Sequence, residues 1–318
     1  MQRPFRFGVL CEEMGTREKW IAKVQRVEEL GYATLLLRDH FVAGSFGDQF
    51  APLSALMAAA MLTTKLRVGS MVFDNDYRHP TVLGKEVATL DVLSGGRFEF
   101  GLGAGWMSSE YAQVGLPFDP PRTRIDRFEE ALHIFKGLFA DEPLTFTGKH
   151  YTITDMHGFP KPLQRPHPPI LIGAGGKRML AIAAREADIV GILPGPLNAG
   201  EPTVNDPAAY APERYAQKIA LLREAAGERF SQLELSVITT PVFNDNRRQG
   251  AEQAAQRRGW SSVSVEELLE VPTIFIGTVE QIAEQMLERR ERFDISYYMI
   301  LDSQMEASAP LVERLSGR

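Results

Sequence analysis

Eight times along the chain, a short apolar run of strand length leads into a longer segment, in most cases with its apolar residues at helical spacing. Residues 5–10 are the first such strand, and residues 17–30 the helix that follows, with Trp20, Val24 and Val27 on one face and Gly31 closing its end. Strands at 34–37 and 66–73 precede helices at 52–62 and 81–93, and a fourth strand covers 97–102. Residues 122–139 are the clearest helix, striped by Phe128, Leu132, Phe135 and Phe139. Strands at 170–172 and 189–193 lead to helices at 177–186 and 210–226. A strand at 233–238 is followed, after an insertion, by a helix that Thr278 and Gln281 open as a capping box and that runs to 292. Strand 295–301 and a helix from Met305 complete the series.

Alternation of this kind requires a parallel sheet, either doubly wound or closed into a barrel. The count of eight, and a length of 318 residues against the roughly 250 typical of such barrels, favour a single (β/α)8 barrel domain over residues 1–318. The surplus residues fall after strands four and seven. No composition break marks a second domain.

Composition then excludes several function classes. The 35 Lys+Arg against 41 Asp+Glu give a net charge of −6, without a basic stripe, which argues against nucleic acid as a partner. The longest apolar run, 55–62, is too short to span a bilayer. The single cysteine, Cys11, cannot form an internal disulfide. These features lead us to expect a soluble cytoplasmic protein.

In a barrel the carboxyl ends of the strands form the active face. The second strand ends in Arg38, Asp39 and His40, where Asp39 serves either as a helix cap or as part of a site, and His40 either as a surface imidazole or as a ligand-facing one. The fifth strand runs into Gly173-Ala174-Gly175-Gly176 and a helix opening with Lys177 and Arg178. That junction offers free amides, a helix dipole and two cations to an anion such as a phosphate. At the fourth strand Gly101, Gly103 and Gly105 leave either a tight turn or a smooth floor for a flat ring, with Trp106 as a wall. The six histidines contain no His-x-His pair and no His-Glu-x-x-His helix, so no metal site is expected, and no Gly-x-Ser-x-Gly elbow occurs.

Taken together, RDHF at 38–41, RHP at 78–80, LDVLSGGRFEFGLGAGW at 90–106, PKPLQRPHPPILIGAGG at 160–176 and FIGT at 275–278 resemble the bacterial-luciferase-like superfamily of flavin- and deazaflavin-dependent oxidoreductases. The pattern is closest to its probable F420-dependent subgroup. The resemblance implies a barrel holding its ring at the carboxyl ends of the strands, with Asp39 and His40 beside the ring and His40 exchanging a proton. It further implies a bulge with a cis non-prolyl peptide at Ser70, Met71 or Val72 behind the ring, Gly103, Ala104 and Gly105 along it, and the cofactor phosphate at Gly173–Arg178. The sugar-phosphate dehydrogenases of the superfamily carry a Glu where Trp106 stands, so the resemblance points away from glucose 6-phosphate and toward a neutral, largely apolar substrate.

The expected activity is F420-dependent hydride transfer to or from an activated C=C, C=O or C=N, with Asp39 orienting the imidazole or the ring edge. The alternative is an FMNH2-dependent monooxygenase, and a third reading is a flavin-binding protein without catalysis. A lid from residues 240–271, carrying Trp260, and a homodimer paired through the second and third helices complete the expectations.

Overall fold

The computed structural model describes residues 2–44, 46–196 and 206–318. Eight parallel strands close on themselves: β1 (Arg6–Cys11), β2 (Thr34–Leu37), β3 (Arg67–Ser70), β4 (Phe98–Gly103), β5 (Ile170–Ala174), β6 (Ile189–Ile192), β7 (Glu234–Thr239) and β8 (Ile295–Leu301). Each pairs with the next, and β8 pairs with β1, Phe7 facing Tyr298 and Val9 facing Ile300. The expected (β/α)8 barrel is therefore the fold. Its helices are α1 (Arg17–Glu29), α2 (Pro52–Leu62), α3 (Pro80–Leu93), α4 (Pro121–Phe139), α5 (Lys177–Glu186), α6 (Pro212–Ala226), α7 (Val279–Phe293) and α8 (Met305–Leu315).

Alternation along the strands divides the core in two. Outward residues such as Phe7, Val9, Leu35, Phe98 and Phe100 pack under the helices in the larger core, where the stripe on α4 inserts Phe128, Leu132, Phe135 and Phe139. Inward residues Leu10, Leu36, Met71, Leu171, Tyr297 and Met299 fill the barrel itself. Small residues make room for them. A Cβ on Gly8 would meet the Tyr297 ring at 3.2 Å, and one on Gly69 would meet the Glu99 backbone oxygen at 2.8 Å.

The amino-terminal end of the barrel is closed by charge. Glu99, fully buried, accepts from Arg6 and from Arg67 at 2.7 Å, and Arg6 also reaches Glu234 at 2.7 Å while stacking on Tyr297. Ion pairs this deep need every partner present, because removing one strands the others in low dielectric. The opposite, carboxyl end is left open, and there the strand ends spread into loops.

Two differences from the sequence reading matter for that end. The strand expected at 66–73 breaks after Ser70: the Met71–Val72 peptide is cis, and pairing with β4 resumes only at Phe73–Asp74. The insertion after β7 folds into a lobe of its own. Two helices (Arg247–Arg258 and Val265–Glu270) and a two-strand ribbon (Val242–Phe243 with Ile276–Gly277) surround Tyr210, Ala251, Trp260, Leu268 and Ile274. Trp260 is buried inside that lobe, and no residue of 240–271 lines the cavity described below. The segment expected as a lid instead turns its apolar residues into a small core shared with Tyr210 and Ile274.

Candidate active site

A cavity of about 380 Å³ opens at the carboxyl end of the barrel. Its wall gathers residues from the ends of β2 (Arg38, Asp39, His40), β3 (Met71, Val72) and β4 (Gly103–Met107), with Gly173 and Gly175 to Met179 from the β5–α5 junction and Ile238 from β7. Of the residues expected at the site, His40, Asp39, Met71, Val72, Gly103, Ala104, Gly105, Trp106, Gly173, Gly175, Gly176, Lys177 and Arg178 all line it. Ser70 and Ala174 lie just behind. The Ser70 hydroxyl donates to the Gly101 carbonyl at 2.8 Å and accepts from the Gly101 amide, fixing β3 to β4 beneath the bulge.

The glycines of β4 serve two purposes. A Cβ on Gly101 would lie 1.8 Å from the Ser70 carbonyl oxygen, and one on Gly103 would lie 2.6 Å from Val72, so these positions are kept bare by the bulge that packs on them. Gly105, at φ +73°, turns the chain out of the strand, and Arg124 of α4 holds the turn by donating to the carbonyls of Ala104 (3.1 Å) and Gly105. On the opposite side, Gly173 and Gly176 are less crowded: the nearest atoms to added Cβ atoms lie at ordinary contact distances of 4.0 and 3.6 Å.

His40 is held by a residue the sequence reading did not single out. Its Nδ1 lies 2.8 Å from the Glu110 carboxylate, on the short helix Ser108–Gln113 that follows Trp106. Glu110 is buried and also accepts from the Phe41 amide (2.9 Å), the Val42 amide (3.4 Å) and the Tyr77 hydroxyl (3.2 Å). A carboxylate so anchored takes the Nδ1 proton in its hydrogen bond and leaves Nε2 as the free nitrogen of the ring. The imidazole stacks on Phe46 (centroids 5.0 Å apart, planes 7° apart), with Trp106 edge-on at 6.1 Å, and the Arg38 guanidinium lies 4.5 Å from the Phe46 ring centroid. Phe46 is fixed in turn because Gln49 and Asp48 tie its loop to the loop after β1.

Asp39 does not orient the imidazole. Its carboxylate forms a bidentate pair with Arg78 (2.6 and 3.0 Å) and accepts the Asp74 amide at 3.1 Å. Guanidinium pairing at both oxygens leaves no room for a second role toward His40. The Arg78-His79-Pro80 sequence is thereby explained: Arg78 anchors Asp39, His79 caps α3, and Pro80 opens it.

At the β5–α5 junction, Gly176 is the cap residue and supplies no side chain, so the first amides of α5 stay available to an anion. Arg178 is engaged by Asp126 (2.6 Å) and Glu129 of α4. Lys177 is exposed and forms no ion pair among the described residues, which makes it the free cation here. A group with a phosphate at one end and a flat ring at the other fits this cavity, with the bare glycines and helix amides at one end and the floor of Val72 and Gly103–Gly105 at the other.

A second buried acid also borders the cavity. Asp74, in the turn after the bulge, accepts from the Tyr111 hydroxyl at 2.9 Å and the Asp76 amide at 2.9 Å. Burial pushes its pKa up to about 7, helped by the neighbouring charge of Asp76. Asp74, Tyr77 and Glu110 stand at the ends of the third- and fourth-strand segments, where nothing in the sequence shows that their side chains turn back toward the cavity and His40, and Phe46 lies in the loop after β2. The signal that was present is a Glu-Tyr pair within a polar stretch just past the glycines of β4.

The luciferase-like monooxygenase family profile matches residues 6–295. The chain belongs to this family. Among curated relatives, the FMNH2-dependent dimethylsulfone monooxygenase of Pseudomonas putida is 26% identical over 302 residues, spanning 88% of this chain and 83% of that one. The F420-dependent glucose-6-phosphate dehydrogenase of Kineococcus radiotolerans is 34% identical over 167 residues, which span 51% of this chain and 48% of the relative, about half its length. In structure, an F420-dependent secondary alcohol dehydrogenase in complex with an F420-acetone adduct superposes with TM-score 0.76 over 98% of both chains at 16% identity, a likeness of fold. Membership in the family makes the chain a luciferase-like oxidoreductase whose cofactor is a flavin or deazaflavin. No helix among the described residues is long and apolar enough to cross a membrane.

Proposed function

We propose that this luciferase-like oxidoreductase uses coenzyme F420 and transfers a hydride between it and a small, largely apolar organic molecule bearing an activated C=C, C=O or C=N. The observation that carries this reading is His40. A two-electron hydride step needs one proton delivered or removed at the substrate heteroatom or carbon. His40 offers Nε2 for that transfer with its other nitrogen locked on Glu110. Bound F420 supplies the hydride chemistry. Its phosphate would be held at Gly175, Gly176 and Lys177 and its ring supported on Val72 and Gly103–Gly105, all of which line the cavity. Trp106, Met107 and Phe46 keep water from the imidazole side and suit an apolar substrate.

One observation favours a second reading. The match to the FMNH2-dependent dimethylsulfone monooxygenase runs along 88% of the chain, whereas the match to the F420-dependent dehydrogenase covers 51%. With reduced FMN in the same cavity, the reaction is oxygenation of an organic substrate. The two readings separate in one assay: oxidation of reduced F420 by a panel of enones, imines and ketones, followed by absorbance under nitrogen and then under air. Turnover under nitrogen supports hydride transfer. Turnover only with FMNH2 and oxygen, with oxygen consumed, shifts the assignment to the monooxygenase.

A further inference from the structure

Most acidic side chains around this cavity have a cationic or imidazole partner. Asp39 pairs with Arg78, Asp76 with Arg127 (2.7 Å), Asp119 with Arg127 (2.9 Å), and Glu110 with His40. Asp74 has none among the described residues. One of its oxygens caps the turn at Asn75–Tyr77 by accepting the Asp76 amide, and both receive the Tyr111 hydroxyl. A Cβ placed on Gly105 would lie 1.9 Å from the Tyr111 hydroxyl and 2.7 and 2.9 Å from the two Asp74 carboxyl oxygens, so the hydrogen-bonded Tyr111–Asp74 pair packs against the glycine floor. A turn cap needs no such position, and serine or asparagine caps equally well without the cost of a buried charge.

We infer that Asp74 is a proton donor of this cavity separate from His40: as a carboxylic acid it gives a hydrogen bond to the heteroatom edge of a ring lying along Gly103–Gly105, and as a carboxylate it repels that edge. The inference rests on the cofactor reading above. It assigns the cavity two proton-bearing groups on one short helix's two neighbours, Glu110 steadying His40 on one side and Tyr111 steadying Asp74 on the other. A buried acid kept neutral by apolar surroundings is a known way to place a strong donor against developing negative charge. Asp74 fits the conditions for it: burial, no direct ion pair among the described residues, Arg78 and Arg127 being taken up by Asp39 and Asp76, and the repulsion of those two carboxylates, with a pKa raised to about 7.

The groups that titrate or bear charge around Asp74 are Asp76 and Arg127, Asp39 and Arg78 with Glu86 behind them, Glu110 and His40, and the phenols of Tyr77 and Tyr111. Comparing wild type with a single substitution at Asp74 cancels their contribution, together with that of the cofactor's own ionisations. The experiment is equilibrium titration of the protein with FMN and with F420 from pH 6 to 8.5. For the ring that binds, wild-type affinity falls above pH 7, by up to about tenfold per pH unit. Asp74→Asn, which keeps an N–H donor and cannot ionise, loses that fall. Tyr111→Phe removes a hydrogen bond that favours the carboxylate, so its break moves to higher pH.

Equal pH dependence in wild type and Asp74→Asn overturns the inference. Should Asp74→Asn not fold, the Tyr111→Phe break decides, upward movement supporting the inference and an unmoved break overturning it. If wild type binds neither ring at any pH, the cofactor reading fails and this inference with it; binding with an unaltered slope in the variant sinks the inference alone.

Discussion

The chemistry of the site is set by single contacts. Glu110 fixes the His40 ring and Phe46 and Trp106 pack around it, which suits His40 to the proton transfer proposed for it. His40→Ala lowers kcat by about 10²-fold or more while leaving cofactor affinity nearly intact, as steady-state kinetics and a binding titration will show. Glu110→Gln retains the shape but no longer fixes the tautomer, so kcat falls by about tenfold or more with KM little changed. Asp74 carries a stability signature as well. Its folded pKa of about 7 lies above the ordinary 3.8 of an aspartate. The folded state therefore holds a proton that the unfolded chain releases, and stability falls as pH rises from about 4 to 7, then levels off. Asp74→Asn removes this loss. Its Tm gain over wild type, by calorimetry, is larger at pH 8 than at pH 5.

At the scale of elements, the strand-to-helix junctions build the cavity, and here the sequence was most and least legible. The β5–α5 junction was readable because its glycines and cations stand in a row, 173–178, and the structure leaves its helix amides uncapped. Gly176→Asp introduces a charge without a clash, since the added Cβ meets only Pro196 at 3.6 Å. It weakens cofactor binding by about tenfold or more through repulsion of the phosphate, measured by titration. The cap of α7 was readable too: Thr278 and Gln281 form the expected reciprocal capping box, and Thr278→Ala costs about 1 kcal/mol in denaturant unfolding. What stayed hidden involves contacts between distant segments. Glu110 reaches His40 across 70 positions, and Arg78 draws Asp39 away from the imidazole although Asp39 is adjacent to it in sequence. Residues 240–271 read as a polar cover because the apolar positions that pair Trp260 with Tyr210 and Leu268 are too scattered to show one core.

For the whole molecule, the barrel separates a closed end that holds it together from an open end that reacts. Glu99→Ala leaves Arg6 and Arg67 without their buried partner and costs about 3–5 kcal/mol in denaturant unfolding. We propose that the chain pairs as a homodimer through α2 and α3, on which Met61, Val82 and Leu93 are exposed. Light scattering at micromolar concentration will give twice the 35.4 kDa chain mass, and Met61→Glu will shift it toward one. The central claim, that the cavity between β2 and β5 holds a deazaflavin, is tested most directly by parallel titration of the purified protein with F420 and with FMN. Tryptophan fluorescence is the readout, because Trp106 lines the cavity while Trp20 and Trp260 are buried elsewhere. Quenching of Trp106 with tighter binding of F420 than of FMN is the expected result; tighter binding of FMN, or no quenching by either, rules out a deazaflavin site here.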